Sequence, residues 1–143
     1  MSELYSGDIL GLAQSLRDGT LAAPDASVRR VAKLCGSEID VDLAVEGGVV
    51  TAYAQRVRAC ALGQASAALL AEHVVGASCE AIVAARDTLH AMLKLDGDPP
   101  EGRFANLAKL AGVKSYPARH QSVMLPWEAV VEAAVEACGK AEL

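Results

Sequence analysis

The sequence predicts an α+β domain, a three-stranded antiparallel sheet with helices packed on one face. Three observations predict it. Glu38 to Glu46 alternates polar and apolar side chains with period two, as a half-buried strand does. Gly47-Gly48 follows with the two φ > 0 residues of a tight hairpin turn, and Val49 to Arg58 returns as a second strand. Beyond Cys60 the apolar residues change to helical spacing, so strands come first and helices after them.

In chain order, Ser6 or Asp8 caps a first helix that runs to about Arg17, with Ile9, Leu12, Ala13 and Leu16 on one face. Asp18-Gly19 ends it, and Thr20 to Ala26 connects. Val28 to Leu34 reads as the first strand, although Arg29, Arg30 and Lys33 interrupt its alternation. In the hairpin a two-residue turn sets Val45 opposite Val50, Leu43 opposite Ala52 and Val41 opposite Ala54. Leu62, Ala65, Leu69 and His73 then mark a helix stopped by Gly76. Ser78 caps the next, which carries Ile82, Ala85, Leu89, Met92 and Leu93.

Asp96-Gly97-Asp98-Pro99-Pro100 breaks that helix into an exposed loop. Phe104, Leu107, Ala108 and Leu110 suggest a short helix ended by Gly112, and Ser115-Tyr116-Pro117 an extended turn. The last helix, with Trp127, Val130, Val131, Ala134 and Val135, begins either near Pro126 or near Arg119 with the proline inside it. No internal repeat or low-complexity stretch divides the chain, so residues 1–143 form a single domain.

Composition removes several function classes. A hydrophobic content of 52% with 22% charged residues excludes a disordered chain. Aromatic residues make up only 3%, so the core is expected to consist of small aliphatic groups in close contact. A net charge of −5 lacks the basic footprint of nucleic-acid binding. No run of 18 apolar residues suits a membrane, and Met1-Ser2-Glu3-Leu4 does not open a signal peptide, so a cytoplasmic protein is expected. Four irregularly spaced cysteines then read as free thiols, metal ligands or sulfur chemistry rather than a disulfide framework.

Two of those cysteines stand apart. Cys35 precedes the first hairpin strand and Cys60 follows the second. Antiparallel pairing puts both at one end of the sheet, neighbours in space although 25 positions apart. Cys60 also stands at a helix start, where the backbone dipole favours negative charge.

Cys35-Gly36-Ser37 before an alternating strand, Cys60 followed by Ala65-Ser66, and Ser122-Val123-Met124-Leu125-Pro126-Trp127-Glu128-Ala129-Val130 together resemble the three boxes of the IscU/SufU/NifU-type iron–sulfur cluster scaffolds. Tyr116-Pro117-Ala118-Arg119, and the 62-position interval from Cys60 to Ser122, are similar to the SufU branch. The resemblance runs from about Tyr5 to the last helix, and it implies that the three boxes converge at one end of the sheet. The family's metal site uses three cysteines and an aspartate. Here Ser37 stands at the aspartate position and Ser122 at the third cysteine, preceded by Gln121 where the branches carry histidine or lysine. A neutral hydroxyl is a poor ligand for zinc or iron. His120, one position away from the family's ligand histidine, would complete a Cys35–Cys60–His120 set with one open position if the helix start brings its ring inward.

The function implied is that of an iron–sulfur cluster assembly scaffold or sulfur acceptor. It would bind an iron–sulfur cluster or zinc through Cys35 and Cys60, and take sulfur from a pyridoxal-phosphate cysteine desulfurase. Cys35 would be the persulfide acceptor and Cys60 a ligand or resolving thiol, with recipient apo-proteins downstream. A four-cysteine cluster site needs two such chains, which implies a homodimer. The alternative is a metal-free paralogue that acts as a regulatory or interaction module of the same machinery. Either way the chain is a carrier rather than a catalyst. It has no Gly-x-Ser-x-Gly, P-loop or His-Glu-x-x-His motif. It also lacks the Leu-Pro-Pro-Val-Lys segment through which IscU engages its chaperone, so that partner is not expected. Cys79 and Cys138 match no box and read as filler, His73 and His90 as structural residues, and Trp127 as core. Arg56 and Arg58 read as a solvated edge leading to Cys60, and Arg119 as either a partner contact or a salt bridge.

Overall fold

The alternation of Glu38–Glu46 becomes the middle strand of the sheet. In the computed structural model, which describes residues 7–142, β1 (Ala26–Ala32), β2 (Ser37–Glu46) and β3 (Val49–Arg58) form an antiparallel sheet in the order β1-β2-β3. Ile39, Val41 and Leu43 of β2 are fully buried on one face, joined there by Ala26, Val28 and Ala32 of β1. The opposite face carries the charged groups of Arg29, Glu38, Asp40 and Arg56, paired across strands. One greasy face and one charged face explain why the helices collect on a single side.

Those helices are α1 (Gly7–Ser15), α2 (Ala61–His73), α3 (Cys79–Lys94) and α4 (His120–Glu142), with 3₁₀ segments at Gly102–Ser115 and Pro117–Arg119. Helix α4 lies across β1 and β2, α2 packs between α1 and α4, and α3 lies against α4. Because α2 is covered on several sides, Gly63, Ala65, Ser66, Ala67 and Ala68 are all buried, and small side chains permit that close packing. Ser78 caps α3 as its sequence predicts, its hydroxyl accepting from the Ala81 N–H at 3.0 Å. Trp127 is fully buried and meets Phe104 edge-on, ring centres 5.2 Å apart. No helix of the described residues is long and apolar enough to cross a membrane.

Several expectations are corrected. The first strand is Ala26–Ala32, shifted towards the N-terminus from Val28–Leu34, because residues 33–36 are taken by the turn into β2. Val45 does face Val50, but the register slips beyond it: Leu43 faces Tyr53 and Val41 faces Gln55. Thr51 is the extra residue of a β-bulge, and its hydroxyl donates to the Ala44 carbonyl at 3.2 Å. The packed face therefore receives Gln55 rather than Ala54. That buried amide is satisfied by the Tyr53 hydroxyl and by the Ala67 carbonyl of α2.

The last helix starts at His120, so Pro126 lies inside it. Lacking an N–H, Pro126 leaves the Ser122 carbonyl without its helical donor. The largest correction concerns Cys79 and Cys138. They are joined in a disulfide that links the first residue of α3 to the end of α4, with Cα atoms 6.6 Å apart. Ser6, one of the two expected caps of the first helix, lies outside the described residues.

Candidate functional site

The site forms where the strands end nearest the start of α4. Residues 33–36 turn β1 into β2, and Gly36 takes φ = 72°, a conformation that L side chains rarely adopt. Its N–H donates to the Ala32 carbonyl at 2.9 Å, which tightens the turn and leaves Cys35 exposed at its corner. The Cys35 sulfur lies 3.1 Å from the hydroxyl of Ser37, the buried first residue of β2. Cys60 enters from the end of β3 as the extended N-cap residue of α2, its carbonyl accepting from the Gln64 N–H. The Cys60 sulfur lies 3.1 Å from the hydroxyl of Ser122, in the first turn of α4.

Ser122 interacts with both thiols. Its hydroxyl also acts on Cys35, and its residue is only 1% exposed. Gly63 of α2 allows this approach. A Cβ there would stand 2.7 Å from the Ser122 hydroxyl oxygen and 2.8 Å from Ala59 Cβ. One turn further along α2, the buried Ser66 hydroxyl donates to the Val123 carbonyl at 2.6 Å, fixing α4 beside α2. Partial burial pushes the Cys35 thiol up. The hydroxyl and N–H of Ser37, the Ser122 hydroxyl and the N–H of Cys35 itself outweigh that, holding it below its ordinary value. Cys35 thus combines exposure with a lowered value.

The structure brings together Cys35, Ser37, Cys60 and Ser122, the residues the three boxes contribute. It does not bring in His120. That ring is 4% exposed, with Nε2 donating to the Val113 carbonyl at 3.0 Å. Nδ1 is then the acceptor, 3.2 Å from Lys94 Nζ. Both nitrogens are engaged in joining α4 to α3 and the 3₁₀ segment, so the expected Cys35–Cys60–His120 set is not assembled. Among the described residues no group of three His, Cys, Asp or Glu side chains is arranged to hold a metal ion. The donor set is two thiols and two hydroxyls, half of what a tetrahedral thiolate site requires.

Of the remaining singled-out residues, His73, His90 and Arg119 are exposed, and Arg58 reaches Glu38 only at 3.7 Å. Arg56 is not a solvated edge. It donates to both oxygens of Asp42, at 3.1 and 3.3 Å, and to the Gly19 carbonyl. The Arg56 guanidinium holds the Asp42 carboxyl below the usual carboxylate range, with further bonds from the Leu21 N–H and the Ser27 hydroxyl. Asp42 was hidden in the sequence as one more polar residue of an alternating strand. Its burial comes from residues 18–21 folding back across the sheet, which no local pattern announces.

No family model matches the chain. It is 34% identical over 133 residues to the iron–sulfur cluster assembly scaffold protein IscU of Thermotoga maritima, a match covering 91% of this chain and 92% of that protein. It is 26% identical over 99 residues to the IscU scaffold protein of Streptococcus pyogenes serotype M1, covering 69% and 62% respectively. Among solved structures, the N-terminal part of a NifU-like protein from Brucella abortus superposes with a TM-score of 0.93 at 43% identity, over 96% of each chain. A putative SUF-system scaffold from Fervidobacterium islandicum AW-1 shares the fold at a TM-score of 0.84 and 20% identity, over 92% of this chain and 96% of that one.

Proposed function

The chain belongs to the IscU-type family of iron–sulfur cluster assembly scaffold proteins, and from that premise we propose that it carries sulfur, and cluster or metal, at Cys35 and Cys60. The observation that carries this reading is the convergence of those two thiols on the Ser122 hydroxyl at the exposed end of the sheet. The donor is a cysteine desulfurase. The Cys35 thiolate attacks the outer sulfur of the desulfurase persulfide. A new S–S bond forms on Cys35, the old one breaks, and the desulfurase cysteine leaves as a thiolate. Exposure of Cys35 and its hydroxyl partners suit it to that attack.

Cys60 serves as the second ligand, half-buried at the N-terminus of α2. The cluster is cargo, destined for recipient apo-proteins. Two chains, each giving Cys35 and Cys60, supply the four thiolates that one chain lacks. A second reading is favoured by the serines at positions 37 and 122 and by the engaged His120 ring: a scaffold-family paralogue without metal that regulates or docks on the assembly machinery.

Metal and acid-labile sulfide analysis of anaerobically purified protein, before and after reconstitution, separates the two. Iron and sulfide in fixed proportion, lost equally in Cys35→Ser and Cys60→Ser and accompanied by dimer, is the expected result. No metal in either state would overturn the cargo reading and leave the interaction module.

A further inference from the structure

Three consecutive residues open α4, and each reaches a different part of the molecule. His120 engages α3 and the 3₁₀ segment, and Ser122 interacts with both thiols. Gln121, between them, turns back to β1: its Oε1 accepts the Leu34 N–H at 3.0 Å across 87 positions of sequence. Leu34 is the residue before Cys35, two places beyond the end of β1, so its N–H has left the strand ladder. Its side chain is 81% exposed and contributes no packing that would fix the turn. The Gly36 N–H bond to Ala32 closes the turn upon itself but ties it to nothing else. Besides the Ser122 hydroxyl acting on the Cys35 sulfur, the backbone of the turn is tethered to α4 by Gln121.

We propose that Gln121 is a positioning residue for Cys35: its side-chain oxygen moors the Cys35 turn to the same helical turn that places Ser122 against Cys60, so that the spacing of the two thiols is set from α4. The proposal rests on the reading of Cys35 and Cys60 as the working pair. The tether requires an acceptor. A lysine or arginine at 121 has none, whereas a glutamate keeps one. Because one helical turn holds both sides, a shift of the α4 start moves the two thiols' surroundings together rather than separately.

The test uses full-length, metal-free protein with Gln121→Leu and Gln121→Glu. Two quantities are read: hydrogen exchange at the Leu34 amide, and the rate at which dibromobimane, which must alkylate two thiols to bridge them, cross-links Cys35 to Cys60. Gln121→Leu is expected to speed Leu34 exchange at least tenfold and to slow cross-linking at least threefold, with the melting temperature nearly unchanged. Gln121→Glu should restore both to within twofold of the parent protein. Unchanged Leu34 exchange in Gln121→Leu, or equal loss in both variants, would overturn the proposal. Neither readout involves sulfur transfer. If the parent protein accepts no persulfide at Cys35 while both readouts move as stated, the sulfur-acceptor reading fails and the tether stands.

Discussion

At one end of α4, Ser122 interacts with two cysteines that remain unbonded; at the other, about 24 Å along the helix by its 1.5 Å rise per residue, Cys138 is bonded to Cys79. The same residue type meets opposite fates in different surroundings. At the far end two helices pack directly, both cysteines are 7% exposed, and nothing separates the thiols. At the near end the Ser122 hydroxyl contacts Cys60 and acts on Cys35, with Gly63 behind it and Ser66 alongside, and one thiol faces solvent. One end is cross-linked, and the other leaves two sulfurs free.

The sharpest way to break this contrast is to remove the bonded pair. The disulfide closes a separation of 59 positions, for which chain-entropy arguments give about 4 kcal/mol. Cys79→Ser/Cys138→Ser should melt roughly 10–15 °C below the parent. A reductant should lower the parent to the same temperature and leave the variant where it is. A parent protein indifferent to reductant would erase the distinction between the two ends.

Pressure on Ser122 comes next. Gly63→Ala forces a carbon against Ser122 Oγ and Ala59 Cβ. Overpacking of about 1–3 kcal/mol, offset by up to about 1 kcal/mol of helix propensity, predicts a net loss of about 1–2 kcal/mol in urea unfolding. Adding Ser122→Ala should return part of it, since one of the two close contacts disappears. Ser66→Ala removes the bond to the Val123 carbonyl, with an expected cost of about 1 kcal/mol in the same assay.

The smallest effect sharpens the comparison within the unbonded pair. A lowered Cys35 value means thiolate at lower pH. Its iodoacetamide labelling in metal-free protein should therefore rise at lower pH than that of an unperturbed thiol in a model peptide. Ser37→Ala, which removes a hydroxyl 3.1 Å from the sulfur, should move that rise to higher pH. Cys79 and Cys138 should label only after reduction.

Much of this arrangement was legible in the sequence. Alternation through Glu38–Glu46, Gly47-Gly48 and the change of period after Cys60 are local signals, and they yielded the strand order and the nearness of Cys35 to Cys60. The bulge at Thr51 was not legible, because a hairpin of either register shows the same glycines and the same alternation on β2. The disulfide was not legible either, since the irregular cysteine spacing read as free thiols and filler. Cys138 stands four positions after Ala134 on the last helix, but nothing local says that Cys79, 59 positions earlier, lies opposite it. His120 misled for a different reason. Its position beside the box said where its backbone would be, while the direction of its ring depended on Lys94 and Val113, elements with no sequence relation to the box.

The Ser122 hydroxyl also has a history within each molecule's synthesis. Cys35 and Cys60 belong to a hairpin that completes early, but Ser122 follows Cys60 by 62 positions. At translation rates of roughly 5–20 residues per second, about 3–12 s pass before Ser122 exists. During that interval the chain holds both cysteines without α4, and a two-stranded hairpin is marginal on its own. Oxidants and metal ions would meet Cys35 and Cys60 in that interval without the helix that carries Ser122.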